Sequence, residues 1–257
     1  MIQSVRRAAA ILRELGADQP RLGVTELAER LGLAKATVYG LIRTLEEDEL
    51  VERDGETGKY RLGPALLLLG NAFLDRHELR ARSLLWADSL ASRTSEAVRV
   101  GVPNGASTLI VHHVFRPDNS LQILEVGATI PWHACALGRA AAAHLDDQAI
   151  RALLEGPLPR LTGRTIVEMG ALRSNLDAIR RDGVAVEDQE AVIGEAEIAA
   201  AVFEQGGRVV GAIGVVGPVE RLLPEGHVRK DVVASVKEVA RGLSRDLGGA
   251  RRYARAR

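Results

Sequence analysis

One stretch, residues 26–45 (ELAERLGLAKATVYGLIRTL), constrains the fold more than any other part of the chain. Leu27, Ala28 and Leu31 fall on one side of a helix, Gly32 stops it, and Val38, Leu41, Ile42 and Leu45 resume helical spacing from about Lys35. Two short helices joined by so tight a turn must share one small core, which fixes the angle between them. Gly40 stands in the middle of the second helix, where glycine costs about 0.8–1 kcal/mol relative to Ala. Packing of the inward residues, rather than helix propensity, must therefore hold that segment.

The flanks complete a domain. Ser4 is placed to cap a first helix with Val5, Ala8, Ile11, Leu12 and Leu15 on one stripe, ending at Gly16. Gly23, with Glu26 three residues later, can open the second helix. Residues 50–53 and 59–62 are strand-like, and DGETG between them is a turn. Three helices and a two-stranded hairpin make a winged helix-turn-helix, expected over residues 1–63. Pro64 then opens an apolar linker helix, expected over 64–81.

From residue 82 to 257 the pattern changes to mixed strands and helices. Helices are expected near 84–92, 137–145, 147–155, 170–181 and 226–246. Strands are expected at 97–102, 107–115, 121–126, 184–186, 198–203 and 208–216, the last two joined as a hairpin through EQGG. This grouping predicts an α+β domain built on one antiparallel sheet, making the whole chain a two-domain α+β protein.

Composition narrows the class. The 257 residues are 46% hydrophobic and 26% charged, as in a globular protein, and the aromatic share of 3% leaves Ala, Leu, Val and Ile to build the core. Cys135 is the single cysteine, which excludes an intramolecular disulfide and a cysteine-rich metal site. The longest apolar run, 65–69, falls far short of the roughly 18 residues of a membrane span. MIQSVRRAAAILREL lacks the apolar core of a signal peptide, so a cytoplasmic location is expected.

A helix-turn-helix places its second helix in the major groove of duplex DNA, with its first turns at the base edges. The outward face of that helix comprises Lys35, Ala36, Thr37, Tyr39, Gly40 and Arg43. Lys35 and Arg43 suit phosphate or guanine, Thr37 and Tyr39 phosphate or a base, and Gly40 allows close approach of the backbone. Arg7 at the start of helix one and the wing residues Arg53, Lys59 and Arg61 add phosphate contacts. Through Leu62 there are ten basic and eleven acidic residues, so affinity per module is modest and a dimer is expected.

SVRRAAAIL, ELAERLGLAKATVYGLIRTL, LVERDGETGKYRLGP, IPWHACALGRA, RRDGVAVEDQE, GEAEIAAAVF and GRVVGAIGVVGPVERL, in this order, resemble the IclR family of bacterial transcriptional regulators over nearly the whole chain. The resemblance implies a winged helix-turn-helix, a linker helix and a GAF-like domain that binds a small-molecule effector. It also implies a homodimer or homotetramer on a palindromic double-stranded operator, repression as the commoner mode, no catalysis, and neither metal nor cofactor. By motif position the effector pocket comprises Gln122, Ile130, Ala136, Leu137, Glu187, Glu197, Ala199, Gly214 and Val216. Ala34, Ala36, Tyr39 and Gly40 replace the family's Pro, Ser, His and Arg, so a relative's operator cannot be carried over. Glu197 stands where the family commonly has Cys. It either favours a ligand with hydrogen-bond donors or positive charge, or it points to solvent or pairs with an arginine.

Two other readings stay open at this point. A GAF-fold enzyme could use Cys135 as nucleophile with His133 as base, although thiol redox chemistry usually wants a second cysteine. A protein-interaction adaptor could retain a winged helix degenerate at Ala36 and Gly40. His112 and His113 are consecutive on a strand, face opposite sides and cannot chelate one metal.

Overall fold

The computed structural model describes residues 1–17, 21–118 and 120–249; residues 18–20 of the expected first domain and 250–257 of the expected second lie outside the described residues. The chain divides into two units, Met1–Arg76 and His77–Arg257.

In the first unit, α1 (Gln3–Leu15), α2 (Val24–Leu31) and α3 (Lys35–Glu47) enclose a core with the hairpin β1 (Val51–Arg53) and β2 (Tyr60–Leu62). Ile11, Leu15, Leu27, Val38, Ile42, Val51 and Tyr60 meet in that core. Gly32 takes φ +62°, the left-handed conformation that ends α2 and turns the chain into α3. The hairpin pairs Val51 with Leu62 and Arg53 with Tyr60. Ile2, not Ser4, precedes the first turn of α1, and no side chain caps it.

The helix opened by Pro64 is shorter than the expected 64–81 segment. It forms α4 (Ala65–Asp75), stops at Arg76, and a new helix, α5 (Glu78–Thr94), follows an extended His77. No glycine or proline marks this break. What changes there is burial: α4 buries none of its residues, whereas α5 buries Leu79, Ser83, Ala87, Leu90 and Ala91 against the second unit's sheet.

That sheet holds β3 (Ala97–Asn104), β4 (Ser107–Val114), β5 (Thr129–Pro131), β6 (Ala185–Asp188), β7 (Glu195–Phe203) and β8 (Val209–Pro218). Its spatial order is β5-β4-β3-β8-β7-β6, and every neighbouring pair is antiparallel. A short helix, α6 (Ala136–Ala142), packs on one face through Ala185, Ala199 and Ala212. The alternate set, including Val98, Ile198 and Val215, points to the other face, where α5 and α10 (Lys230–Asp246) lie. Between these elements run α7 (Asp147–Glu155), α8 (Met169–Asp182) and α9 (Val219–Leu222). The final helix begins at Lys230 rather than 226, because Pro224–Gly226 form a separate 3-10 turn.

The strand expected at 121–126 is absent. Asp118 turns the chain by accepting from the Ser120 N–H, and the Gln122 amide bonds both main-chain groups of Arg116. Pairing with β4 resumes only where Ile110 meets Gly127 and Ala128.

Candidate functional site

In the first unit, Val38, Ile42 and Leu45 turn α3 inward, leaving Lys35, Ala36, Tyr39, Gly40 and Arg43 on one exposed face with Thr37 half-buried at its margin. Tyr39 is 55% exposed on this face. A side chain at Gly40 would meet nothing within 4 Å, so the protein itself gives no reason for a glycine there. Arg43 stands 3.5 Å from Glu47 one turn on, while Lys35 makes no ion pair among the described residues.

Cations of the wing are occupied differently from what the sequence suggests. Lys59 bonds Glu26 at 2.9 Å, and Glu26 also accepts the Gly23 N–H at 2.6 Å, so this pair ties the wing to the start of α2. Arg61 pairs with Glu52 at 2.5 Å, and Arg53 donates to the Gly58 carbonyl at 3.3 Å. Exposed pairs of this kind are worth about 0.2–1 kcal/mol, little enough to be exchanged for phosphate. Arg7 is half-buried on α1.

In the second unit, strand register assembles most of the expected pocket residues. Glu187 lies opposite Glu197, Glu197 opposite Val216, and Ala199 opposite Gly214, all on the face covered by α6. Ala136 and Leu137 open α6 above them, and the Leu137 N–H donates to Glu197 Oε2 at 3.1 Å. A Cβ on Gly214 would come within 2.7 Å of Ala199 Cβ, so glycine there serves close packing. Ile130 is half-buried at the sheet edge against the apolar cluster beneath α6. Gln122 stays in its loop with Arg116, and the residue of that loop that reaches β3 is Glu125, which accepts from Arg99.

Sequence reasoning missed Arg99, the hub of this face. It is 7% exposed and lies opposite Gly214. Its guanidinium chelates Glu125 and stands 3.7 Å from Glu195 and 3.8 Å from Glu197. Burial pulls its pKa down, but Glu197, Glu125 and Glu195 outweigh that and raise it. The signal was there in AVRVGV: a charge set among valines on a strand buried on both faces needs a partner. A second buried pair, Arg139 and Glu190 at 2.7 Å, fastens α6 to the loop after β6, with Arg139 also donating to the Val186 carbonyl.

Both carboxyls of the facing pair titrate abnormally. Burial raises Glu197, opposed by Arg99 and by the main-chain N–H groups of Leu137 and Ala136. Burial and the charge of Glu197 together push Glu187, which makes no ion pair among the described residues, up to about 8. Because Glu197 stands beside Arg99 and Glu187 has no such partner among the described residues, a proton held by the pair near neutrality rests on Glu187. Glu187 Oε1 accepts from the Glu190 and Ala191 N–H groups, which a glutamine oxygen would also satisfy. Because the folded state binds this proton more tightly than the unfolded chain, the stability it contributes is complete below about pH 4.5 and is lost as pH rises through about 8. Denaturant unfolding should thus show wild type losing up to about 1.4 kcal/mol per pH unit, between about pH 5 and 7.5, relative to Glu187→Gln. Parallel pH profiles for the two proteins would contradict this assignment.

The thiol of Cys135 is buried and pushed up to about 12, and its sulfur accepts the Gly138 N–H that opens α6. It is a packed capping group, with no thiolate available near neutrality. His133 bonds the Pro159 carbonyl at 3.1 Å rather than the thiol. Among the described residues no group of three His, Cys, Asp or Glu could hold a metal ion.

Comparison with known proteins places both units. Residues 4–55 match the IclR helix-turn-helix domain, and residues 71–245 match the C-terminal domain of the bacterial transcriptional regulator IclR. A glycerol operon regulatory protein of Streptomyces griseus is 47% identical over 97% of this chain and 98% of its own length. Its counterpart in Streptomyces coelicolor is 46% identical over the same shares. The crystal structure of an IclR transcriptional regulator from Alicyclobacillus acidocaldarius superposes with TM-score 0.82 at 27% identity, covering 95% of this chain and 98% of that one.

Proposed function

This chain belongs to the IclR family of bacterial transcriptional regulators, and from that premise we propose that it is a cytoplasmic repressor released from its operator by a small metabolite. It is a DNA-binding regulator of transcription rather than an enzyme. In our reading, α3 enters the major groove with Lys35, Ala36, Thr37, Tyr39, Gly40 and Arg43 toward the bases and nearest phosphates. Arg53, Lys59, Arg61 and Arg7 then hold flanking phosphates. The observation that carries this reading is the division of α3 into an apolar buried side and an outward side with an exposed tyrosine, two cations and an unobstructed glycine.

A homodimer, or a homotetramer built from it, gives the modest single module its affinity. The exposed side chains of α4 support this: Leu67, Leu68, Leu69 and Phe73 are each more than half exposed in the single chain, and a second copy would cover them. Two α3 helices then address half-sites of a palindrome one helical turn or a multiple apart. Among the described residues, no helix is long and apolar enough to cross a membrane.

The buried polar face of β6, β7 and β8 beneath α6, with Glu187 and Glu197, is the proposed effector site. The relatives named as glycerol operon regulators suggest that the controlled genes handle glycerol or a related polyol. Effector binding shifts the protein between DNA-competent and DNA-released arrangements only as far as its affinity for the two differs.

Footprinting on the region upstream of the protein's own gene tests the reading, which expects two protected half-sites in dyad symmetry; coverage without sequence preference would favour the adaptor instead. Gly40 offers an independent check. Gly40→Ala should raise stability by about 1 kcal/mol, since nothing in the protein obstructs the methyl group. The same change should weaken operator binding if backbone and DNA approach closely there. A variant that is stabilised and binds as tightly as wild type would remove Gly40 from the interface.

A further inference from the structure

We propose that Glu187 and Glu197 act as a donor–acceptor pair that grips adjacent hydroxyl groups of an uncharged polyol and turns away anionic metabolites. This deepens the effector reading above and rests on it. Glu197 Oε2 is taken by the Leu137 N–H, but Oε1 is buried, 3.8 Å from Arg99 Nη1, and accepts no hydrogen bond among the described residues. A fully buried carboxylate oxygen left in this state calls for a donor from outside. Directly opposite, with Cβ atoms about 4.5–5.5 Å apart as in any antiparallel pair, stands Glu187. Its Oε1 is held by two main-chain N–H groups, leaving Oε2 with no hydrogen bond among the described residues.

Protonated Glu187 offers one O–H, and Glu197 offers one lone acceptor. A hydroxyl both donates and accepts, so neighbouring hydroxyls of a polyol can answer both groups at once. An anion answers neither well. Arg99, the cation nearest Glu197 on this face, already serves Glu125, Glu195 and Glu197, and Arg139 is bound to Glu190. A ligand carboxylate or phosphate would enter a field of carboxylates in which Arg99 and Arg139 already hold glutamate partners.

The remaining titratable groups around the pair do not supply the proton. From β4, His113 accepts the Glu125 N–H, and burial holds both it and His133, ahead of α6, below the usual histidine range. Cys135 stays a thiol, and Asp188 pairs with Arg164 at 2.5 Å. Ligand affinity should therefore follow Glu187.

Calorimetric titration of the full-length oligomer with glycerol, lactate and glycerol 3-phosphate between about pH 6 and 9 tests this. Glycerol should bind with level affinity up to about pH 7.5 and lose up to about tenfold per pH unit above 8, as the Glu187 proton is lost. Glu187→Gln, whose amide still donates, should flatten that profile. Glu197→Gln should weaken glycerol at least about tenfold and admit lactate. Tighter wild-type binding of lactate or glycerol 3-phosphate than of glycerol, no glycerol binding, or a flat wild-type profile would overturn the proposal. The two readings fail separately: lactate releasing DNA would keep effector control and sink the pair, whereas glycerol bound as described without change in DNA affinity would keep the pair and sink effector control.

Discussion

Reversing two charges, Lys35→Glu with Arg43→Glu, is expected to lower operator affinity at least about 100-fold while leaving the fold intact. Both side chains are exposed on α3, and Arg43's only ion-pair partner among the described residues is an i,i+4 glutamate on the surface, so neither contributes much to folding. At the DNA surface each exchange replaces a favourable phosphate or guanine contact, itself worth about 1–3 kcal/mol at a base, with a repelled carboxylate. Loss of two phosphate contacts per subunit should also flatten the dependence of log affinity on log salt by about 0.9 per contact. Fluorescence anisotropy on a footprinted duplex, repeated across salt, measures both effects. Unchanged affinity and slope would mean that a different surface of the first unit holds the DNA.

Removing Arg99 should produce a large loss of stability in the second unit. Arg99→Met keeps most of the volume but leaves Glu125, Glu195 and Glu197 without their shared cation, and Glu197 is only 1% exposed. Breaking a buried pair from one side costs about 3–5 kcal/mol, because the stranded charge must be neutralised or hydrated. Adding Glu197→Gln to Arg99→Met should recover part of that loss, since the amide needs no counter-charge. Denaturant unfolding of the single and double variants checks this. A loss below about 1 kcal/mol for Arg99→Met would show the ion cluster to be wetter and weaker than its burial implies.

Much of this architecture was legible in the sequence because local rules and packing agree. Helical spacing through Leu45, the Gly32 stop and the DGETG turn are each local signals, and α3 begins at Lys35 as read. The hairpin signal at EQGG likewise recovered β7 and β8. Failures occur where distant contacts decide. LQILEV has a strand's composition, yet the Asp118 turn and the pairing of Glu125 with Arg99 hold it off the sheet. DRHEL carries no breaker, and the break between α4 and α5 follows from a change in what each helix buries. At the polar face, motif position named Glu187 and Glu197, which the strand register sets opposite each other, but Arg99 carried no motif and was legible only as a lone charge between valines. Wing cations were legible by type but not by partner, since Lys59 meets Glu26 from 33 positions away.

The central claim is that occupancy of the buried acidic face governs whether α3 stays on DNA. Its most direct test is to preform the complex of full-length protein with a labelled operator duplex, add glycerol to saturation as judged by calorimetry, and follow anisotropy. The account predicts at least about a tenfold loss of operator affinity, with Glu197→Gln shifting that response to at least about tenfold higher glycerol. Full retention of the complex with the acidic face saturated would contradict it.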